Sequence, residues 1–217
     1  MSASHDSTPA RRAPSALERG LGAVLRHPIV RRLKSPLIEA RWWWRGRSIA
    51  NPPLPASPRE LLFLCQGNIC RSPFAAELAR RRVAERGLSG VSCVSGGLRA
   101  SQAPESPADA VHAAARYGIA LAGHRALDVT AAQMAAADVI VVMEVRHVDE
   151  IRRRFPDAIG RVHLLPLYEP AGRYGPLERV NLLDPFDQGA EAFAHCYRRI
   201  DAAIDGLASA IALRTRG

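Results

Sequence analysis

Two short, wholly apolar runs most constrain how this chain folds. Residues 61–64 read Leu-Leu-Phe-Leu, and residues 139–143 read Val-Ile-Val-Val-Met. Runs of this length without alternating polar residues are typical of parallel strands that are buried on both faces of a sheet. A segment with helical character follows each run, and a strand followed by a helix is the repeating unit of a parallel sheet. The two runs therefore predict strands inside an α/β domain.

Weaker periodic segments extend this pattern into an alternation of strands and helices. Further strands are predicted at residues 91–95 and 162–165. Helices are predicted at residues 72–86, 107–117, 148–155 and 190–213. This alternation predicts an α/β fold with a small four-stranded parallel sheet, helices on both faces and a loop between strand 1 and helix 1. Ligands of such sheets bind at the carboxyl ends of the strands.

Charge and proline content divide the chain into two predicted parts. The formal net charge is +9 over 217 residues, but residues 1–58 hold ten Lys or Arg against three Asp or Glu. Residues 59–217 hold twenty and eighteen, so the basic excess lies mostly in the N-terminal part. Four prolines between Asn51 and Pro58 indicate a linker. We predict a basic N-terminal extension, residues 1–58, that is largely disordered, and a catalytic domain, residues 59–217.

The extension contains Trp42, Trp43 and Trp44 beside several arginines. Such segments bind anionic membrane surfaces, or bind nucleic acid through phosphate contacts and base stacking; of these two the membrane is favoured. A disordered tail and a start codon assigned too far upstream are the competing explanations. No apolar run is long enough to span a membrane, and four cysteines are too few for a disulfide scaffold. The expected location is the cytoplasm, either free or peripheral to the inner face of the membrane.

The segment between the first strand and the first helix has the composition of an anion site. It reads Cys-Gln-Gly-Asn-Ile-Cys-Arg-Ser-Pro over residues 65–73. The N-terminus of the following helix offers unpaired backbone N–H groups and the positive end of a helix dipole. Gly67 lets the backbone curl toward bound phosphate oxygens, and Arg71 adds a planar fork for two of them. The same field favours the thiolate of Cys65, and a proton donated by Ser72 would stabilise it further.

The spacing Cys-x5-Arg alone carries little information in a chain so rich in arginine. A second copy runs from Cys93 to Arg99 and even contains two glycines. The residues that follow it, 100–104, read Ala-Ser-Gln-Ala-Pro and do not begin a helix, so this copy lacks the dipole and the free N–H groups. We interpret Cys93 as a buried strand residue.

The full string around Cys65 resembles the C-x-G-N-x-C-R-S-P signature of the low-molecular-weight protein tyrosine phosphatases. The similarity continues in family order through Ser95-Gly96-Gly97 and Gly123-His124 to a strand that ends at Glu144, where the family usually has Asp. It covers residues 59 to about 213, and the N-terminal extension is additional to it.

By this resemblance the protein hydrolyses protein phosphotyrosine in two steps, with no metal and no cofactor. Cys65 is expected to attack phosphorus as the nucleophile, while Arg71 and the loop N–H groups hold the equatorial oxygens. Asp184, in the one Asp-Pro pair of the sequence, is expected to protonate the leaving oxygen and then to activate the water that hydrolyses the phosphocysteine. The expected partner is a phosphorylated protein, and family context suggests a tyrosine kinase of exopolysaccharide export.

The resemblance also assigns the rest of the phosphate-binding loop and its supports. The loop would contribute Gln66, Gly67, Asn68, Ile69, Cys70 and Ser72. Ser95 and His124, together with Asn68, would hold the loop in shape by hydrogen bonds. Under oxidation Cys70 would form a reversible disulfide with the nucleophile; a packed small hydrophobic residue is the competing interpretation.

Three features near the loop bear on the substrate. Phe186, after the Asp-Pro pair, would form one wall of a phosphotyrosine pocket. A second aromatic wall is missing from residues 98–104. Ile69 is typical of the tyrosine phosphatases, whereas relatives that act on phosphoarginine have Thr at that position. The sequence therefore favours phosphotyrosine and leaves protein phosphoarginine as the alternative.

Two other functions fit the sequence less well. Thioredoxin-coupled arsenate reductase needs two further cysteines downstream of the nucleophile, and the remaining ones, Cys93 and Cys196, fall on a predicted strand and in the last helix. A non-catalytic phosphate-binding adaptor, tethered by its basic N-terminus, would need neither Cys65 nor Asp184.

Overall fold

The computed structural model describes residues 49–88, 90–100 and 105–216. Its strands are β1 (Glu60–Cys65), β2 (Ser92–Gly97), β3 (Val139–Val142) and β4 (Val162–Leu164). Its α-helices are α1 (Arg71–Glu85), α2 (Ala108–Ala115), α3 (Ala131–Ala136), α4 (Val145–Arg154), α5 (Pro176–Arg179) and α6 (Ala190–Arg216). Short 3-10 turns cover Pro156–Arg161 and Leu165–Tyr168. The predictions for residues 1–48 fall outside the described residues.

The four strands form one parallel sheet in the order β2-β1-β3-β4. The two wholly apolar runs are its central strands β1 and β3, where side chains on both faces are buried. From β1 the chain moves to β2 on one side and later to β3 on the other, so the topological switch point lies at the carboxyl end of β1. The predicted fold class is confirmed.

Helices cover both faces of the sheet. On one face Leu61, Phe63 and Val141 point into the main core, where α1, α2 and α6 pack together. On the other face α3 contacts β1, and α4 contacts β3. Phe74 of α1 stacks on Tyr197 of α6 with ring centroids 3.9 Å apart, which fixes α6 against the helix that follows the loop.

Three helices differ from the sequence prediction: α4 begins earlier, and the short helices α3 and α5 were not predicted. Helix α4 begins three residues earlier than predicted, because the side chain of Asn181 accepts a hydrogen bond from the first helical N–H, that of Val145, at 3.0 Å. Helix α3 was not predicted, because six residues are too few to show a helical period. Thr130 and Gln133 form a capping box at its start. None of the helices in the described part of the chain is long and apolar enough to cross a bilayer.

The predicted linker, at the end of the extension, lies against the domain. Asn51 uses its side-chain amide to pair with both backbone groups of Leu164 in β4: Oδ1 accepts from the N–H at 2.7 Å, and Nδ2 donates to the carbonyl at 3.1 Å. Leu54 is buried in the main core. The hydroxyl of Thr215, near the end of α6, donates to the carbonyl of Ala56. The domain boundary at residue 58 stays a prediction.

Candidate active site

The loop that joins β1 to α1 lies at the switch point of the sheet. Cys65 is the last residue of β1, and Arg71 is the first residue of α1. The backbone carbonyl of Cys65 accepts from Leu98 at 2.9 Å, and that of Gln66 accepts from Arg99 at 2.8 Å, so the segment after β2 holds the start of the loop. Cys70, the N-cap residue of α1, makes no side-chain capping bond, which leaves the first-turn N–H groups without a side-chain acceptor.

Asn68 is the structural centre of the loop. Its Nδ2 donates to the hydroxyls of Ser72 and Ser95, both at 3.0 Å, and its Oδ1 accepts from the backbone of Leu127 at 3.1 Å. Its carbonyl lies 2.7 Å from Nε2 of His124. The structure thus brings Asn68, Ser95 and His124 together in the contacts that the resemblance suggested.

The backbone turns within the loop at Asn68 and not at Gly67, where the turn was expected. Asn68 has φ of +53°, whereas Gly67 has no positive φ, and a Cβ on Gly67 would meet nothing closer than Ile69 at 3.5 Å. Asn tolerates the left-handed region because its short polar side chain bonds locally. Gly97 is the glycine that packing requires, because a Cβ there would lie 2.8 Å from Ala100 and 3.2 Å from the backbone of Gly67.

Ser72 links the nucleophile candidate to the surrounding bonds. Its Oγ lies 3.0 Å from Sγ of Cys65 and 3.2 Å from the carbonyl of Gly96. The hydroxyl also accepts from Asn68, so its one proton is free to point toward either sulfur or carbonyl. A thiolate at Cys65 can only accept, so Ser72 would then be the donor.

Arg71 is a buried cation with three partners at the guanidinium. Its side chain is 1% exposed. Nη1 donates to Glu144 at 2.5 Å and to the carbonyl of Leu182 at 2.9 Å, and Nη2 donates to Asp184 at 2.5 Å. Burial opposes the charged form, but the negative charges of Asp184, Cys65 and Glu144 outweigh it and raise the pKa of Arg71. The guanidinium therefore stays charged.

Glu144 is a site residue that the sequence reasoning did not assign. It follows β3 directly and its side chain is 9% exposed; besides Arg71 it accepts from Arg146 at 2.7 Å. The exposed Arg146 also approaches Asp184, with 3.7 Å between Nη2 and Oδ2. The sequence feature that could have identified Glu144 is its position, because it places a carboxylate at the carboxyl end of a central strand.

The segment that carries Asp184 is tied to the end of β3. The N–H of Leu182 donates to the carbonyl of Met143 at 2.8 Å, and Asn181 caps α4. Arg199 of α6 donates to the carbonyl of Asn181 at 3.1 Å and forms a buried ion pair with Glu169. The segment thus has fixed anchors, while the Asp184 side chain is 34% exposed at its end.

Helix α6 also contacts the phosphate-binding loop. The hydroxyl of Tyr197 donates to the carbonyl of Cys70 at 3.1 Å. Tyr197 is fully buried, and burial raises the pKa of its hydroxyl, so the group remains a donor at neutral pH. No contact between Tyr197 and the loop was predicted from the sequence.

Burial keeps the cysteines other than Cys65 as protonated thiols. Burial raises the pKa of Cys93 and of Cys196 to about 12. Burial, and then the neighbouring Cys65, raise the pKa of Cys70 as well. Cys93 lies in β2 and is 3% exposed, which confirms its assignment as a buried strand residue. Arg99, at the end of the second Cys-x5-Arg copy, pairs with Glu150 and begins no helix.

Comparison with known proteins agrees with this geometry. A model of the low-molecular-weight phosphotyrosine protein phosphatase family matches residues 60–216. The chain belongs to this family. Family membership and the enzyme class, a protein-tyrosine phosphatase, are therefore confirmed.

Individual relatives cover most of the family domain. The chain is 33% identical over 147 residues to the probable low-molecular-weight protein-tyrosine-phosphatase EpsP of Ralstonia nicotianae, covering 68% of this chain and 92% of that protein. The tyrosine phosphatase Wzb from Escherichia coli K30, solved in complex with sulphate, superposes with TM-score 0.60 at 28% identity, over 70% of this chain and 97% of Wzb. The YwlE arginine phosphatase from Geobacillus stearothermophilus gives TM-score 0.58 at 30% identity, over 70% and 92%.

Proposed function

We propose that the protein hydrolyses protein phosphotyrosine through a phosphocysteine intermediate, with Cys65 as nucleophile, Arg71 as phosphate clamp and Asp184 as general acid and base. The observation that carries this proposal is the bond between Arg71, at the end of the Cys65 loop, and Asp184, from a distant part of the chain. A nucleophile, an anion clamp and a proton carrier are thereby gathered around one buried guanidinium.

The reaction follows from the chemistry of these groups. The Cys65 thiolate forms a bond to phosphorus as the bond to the tyrosyl oxygen breaks, and Asp184 gives its proton to that oxygen. In the second step a water attacks phosphorus, Asp184 accepts the proton of that water, and Cys65 leaves as a thiolate that Ser72 stabilises. Arg71 and the N–H groups at the start of α1 hold the phosphoryl oxygens in both steps.

The two terminal nitrogens of the Arg71 guanidinium bind different partners. Nη1 is used by Glu144 and Leu182, which fix the plane of the group. Nη2 is shared with Asp184, so an incoming phosphate dianion competes with the Asp184 carboxylate for this end. Proton uptake by Asp184 would weaken its bond to Arg71 and would prepare the acid in one event. Binding of the phosphate dianion and protonation of Asp184 are coupled in this way.

Apolar side chains beside Asp184 support an aromatic leaving group. Leu183 and Phe186 flank the Asp184-Pro185 pair and are 51% and 42% exposed. Ile69, in the loop, is buried at 8% exposure and belongs to the core. EpsP and Wzb are named as tyrosine phosphatases, which also favours phosphotyrosine. The likeness to YwlE keeps phosphoarginine as the competing substrate.

The test is hydrolysis of p-nitrophenyl phosphate by the wild type, Cys65→Ser and Asp184→Ala, without added metal. We expect turnover that Cys65→Ser abolishes and Asp184→Ala reduces. Phosphotyrosine and phosphoarginine peptides then decide the substrate, and faster release of phosphate from phosphoarginine would refute the phosphotyrosine assignment. A folded wild type without any turnover would indicate the phosphate-binding adaptor instead.

The partners and location beyond a phosphorylated protein remain predictions. A tyrosine kinase of exopolysaccharide export is the candidate substrate, and dephosphorylation of such a kinase by the wild type but not by Cys65→Ser would support it. Contact with an anionic membrane through residues 1–58 is tested by co-sedimentation with anionic vesicles at low and high salt.

A further inference from the structure

One buried histidine lies beside the proposed phosphate clamp with its ring unpaired. His147 is in the first turn of α4, and its side chain is 0% exposed. Within the part of the chain that the structure describes, neither Nδ1 nor Nε2 of this ring has a hydrogen-bond partner. An imidazole carries at least one N–H donor, and a buried donor without an acceptor costs free energy that an apolar side chain of similar size would not. Packing alone therefore does not explain a histidine at this position.

The carboxylate of Glu144 lies just beyond hydrogen-bond distance of this ring. Nε2 of His147 is 3.9 Å from Oε1 of Glu144. The backbone N–H of His147 donates to the backbone carbonyl of Glu144 at 3.0 Å, which keeps the two residues together at the start of α4. A hydrogen bond between nitrogen and oxygen is about 2.9–3.0 Å long, so a shift of about 1 Å would close the gap between the side chains.

The ring of His147 is neutral at pH 7. Burial, and then the positive charges of Arg71 and Arg146, lower the pKa of His147 well below its usual value. A neutral imidazole has one N–H group and one lone pair. The Glu144 carboxylate repels a lone pair at Nε2 and attracts a hydrogen there, which favours the tautomer with the proton on Nε2. His147 can then donate to Glu144 without adding a charge to the site.

The Glu144 carboxylate is held by two cations. Its Oε1 accepts from Nη1 of Arg71 at 2.5 Å and from Nη2 of Arg146 at 2.7 Å. Arg146 is 53% exposed. A phosphate dianion at the clamp attracts both cations and repels the carboxylate, so binding weakens the hold on Glu144. The exposed Arg146 can turn toward the dianion, whereas the buried, neutral ring of His147 stays in place.

We propose that His147 is a positioning residue: its Nε2–H group donates to Glu144 when phosphate binds and so keeps the Glu144 carboxylate on Arg71. This inference rests on the proposed function, in which Arg71 is the phosphate clamp. His147 transfers no proton and touches no substrate atom. Its unpaired N–H gains a hydrogen bond to a charged group, and because this bond forms only on binding, it contributes to the affinity for phosphate.

Three substitutions of His147 separate this bond from packing. His147→Phe keeps a ring and removes both nitrogens. Gln places its amide nitrogen at about the position of Nε2, whereas Asn reaches only as far as Nδ1, so His147→Gln and His147→Asn form a matched pair. The control is His163→Phe, which makes the same change at a buried histidine of β4, outside the active site.

Steady-state kinetics of the full-length protein, with inorganic phosphate as inhibitor, measures the effect. In His147→Phe and His147→Asn we expect KM for p-nitrophenyl phosphate and the inhibition constant of phosphate to rise about tenfold, as for one lost hydrogen bond to a charged group. The value of kcat should change less, because the clamp holds the phosphoryl group both before and during the reaction. His147→Gln should recover most of the affinity, and His163→Phe should keep the wild-type KM and inhibition constant.

Nuclear magnetic resonance of the imidazole groups gives a readout that does not depend on turnover. We would record the ring signals of the ¹⁵N-labelled wild type with and without saturating inorganic phosphate, and assign those of His147 by their absence from His147→Gln. We expect the proton on Nε2 in both states and a downfield shift of this proton when phosphate is added.

Several outcomes would overturn the role of His147 and leave the proposed function intact. They are a proton on Nδ1, an Nε2 proton signal that phosphate does not move, or an active wild type whose KM and phosphate inhibition His147→Phe leaves unchanged. A lower kcat at unchanged KM in all three variants would indicate only lost folded enzyme and would also overturn it.

Two further results are kept apart from these. A folded wild type without turnover refutes the proposed catalysis, and the response of the Nε2 proton to phosphate then still decides the role of His147. Circular dichroism shows which variants fold; if His147→Phe does not, the difference between His147→Gln and His147→Asn decides, and equal affinity of these two for phosphate would refute the proposal.

Discussion

Nη2 of Arg71 lies 2.5 Å from Oδ2 of Asp184, so the proposed clamp and the proposed acid are bonded to each other. In its ionised form this carboxyl group repels an incoming phosphate dianion, and in its protonated form it carries the proton that the leaving group needs. Affinity for phosphate and rate of catalysis should therefore respond in opposite directions when its charge is removed.

Asp184→Asn is expected to lower kcat by about 10²–10⁴-fold, which is the usual contribution of a general acid. The loss should be larger for phenyl phosphate than for p-nitrophenyl phosphate, because p-nitrophenolate leaves without full protonation. Inorganic phosphate should inhibit the variant at several-fold lower concentration than the wild type. Equal loss on both substrates, or weaker inhibition by phosphate, would contradict the assigned role.

Glu144→Gln should weaken phosphate binding and lower kcat/KM by at least tenfold, because it removes the charge that fixes Nη1 of Arg71 inside the protein. Glu144→Asp, which keeps the charge, should recover part of the activity. The matched control is Glu77→Gln on α1, whose partners Arg80 and Arg81 are exposed. Steady-state kinetics with inorganic phosphate as inhibitor provides the measurement, and indistinguishable KM and kcat for Glu144→Gln would exclude a positioning role.

Substitutions at Asn68 separate backbone strain from side-chain bonding. Ala at φ of +53° adds about 1–2 kcal/mol of strain, and it leaves Ser72 and Ser95 without their donor. Gly removes the same bonds without the strain. In urea unfolding we expect both variants to be destabilised and Asn68→Ala to be the less stable by about 1 kcal/mol. Equal stability of the two variants would mean that the left-handed conformation is not retained.

Acid should destabilise the fold through His163. This residue is 1% exposed, with Nδ1 2.7 Å from the Tyr168 hydroxyl, and burial lowers the pKa of His163 from 6.5 to about 4. The folded form thus binds fewer protons than the unfolded form in this window. The stability that depends on this group is complete above pH 6.5, and about 3 kcal/mol is lost as the pH falls from 6.5 to about 4.

The variant His163→Gln keeps a polar partner for Tyr168 and should flatten this slope in urea titrations between pH 7 and pH 4. Burial also lowers the pKa of His147, in the same direction, so the slope is reduced rather than removed. His112→Gln, at an exposed position of α2, is the control and should retain the wild-type slope. An unchanged slope in His163→Gln would exclude the buried ring as its source.

Peroxide should inactivate the enzyme reversibly if Cys70 protects the nucleophile. Peroxide converts Cys65 to a sulfenic acid with release of water, and attack by the Cys70 thiol forms a disulfide with release of a second water. Dithiothreitol should then restore activity in the wild type and in the control Cys93→Ser, but not in Cys70→Ser, where Cys65 oxidises further. Equal recovery in Cys70→Ser would refute the protective disulfide.

The fold and the phosphate-binding loop could be predicted because their signals are local. Two apolar runs, residues 61–64 and residues 139–143, predict buried strands. The residues of the phosphate-binding loop are consecutive in the sequence. The residues around Arg71 could not be predicted in the same way. Glu144 lies 73 positions from Arg71, and Tyr197 lies 127 positions from Cys70. Neither contact can be recognised from a short stretch of sequence.

The conformation within the loop needed the structure for a different reason. Glycine is the usual residue for a left-handed turn, which made Gly67 the natural expectation. The hydrogen bonds that Asn68 donates to Ser72 and Ser95 and accepts from Leu127 stabilise that conformation at Asn68 instead. Tertiary hydrogen bonds here outweigh an intrinsic backbone preference.

The amide of Asn51 has a further consequence for how the molecule behaves among other chains. β4 is an outer strand of the sheet, and outer strands present unpaired backbone groups that can recruit a foreign strand. At Leu164 both of those groups are already occupied by one side chain. A segment that looked like a spacer in the sequence thus blocks pairing with a foreign strand at this position of the β4 edge.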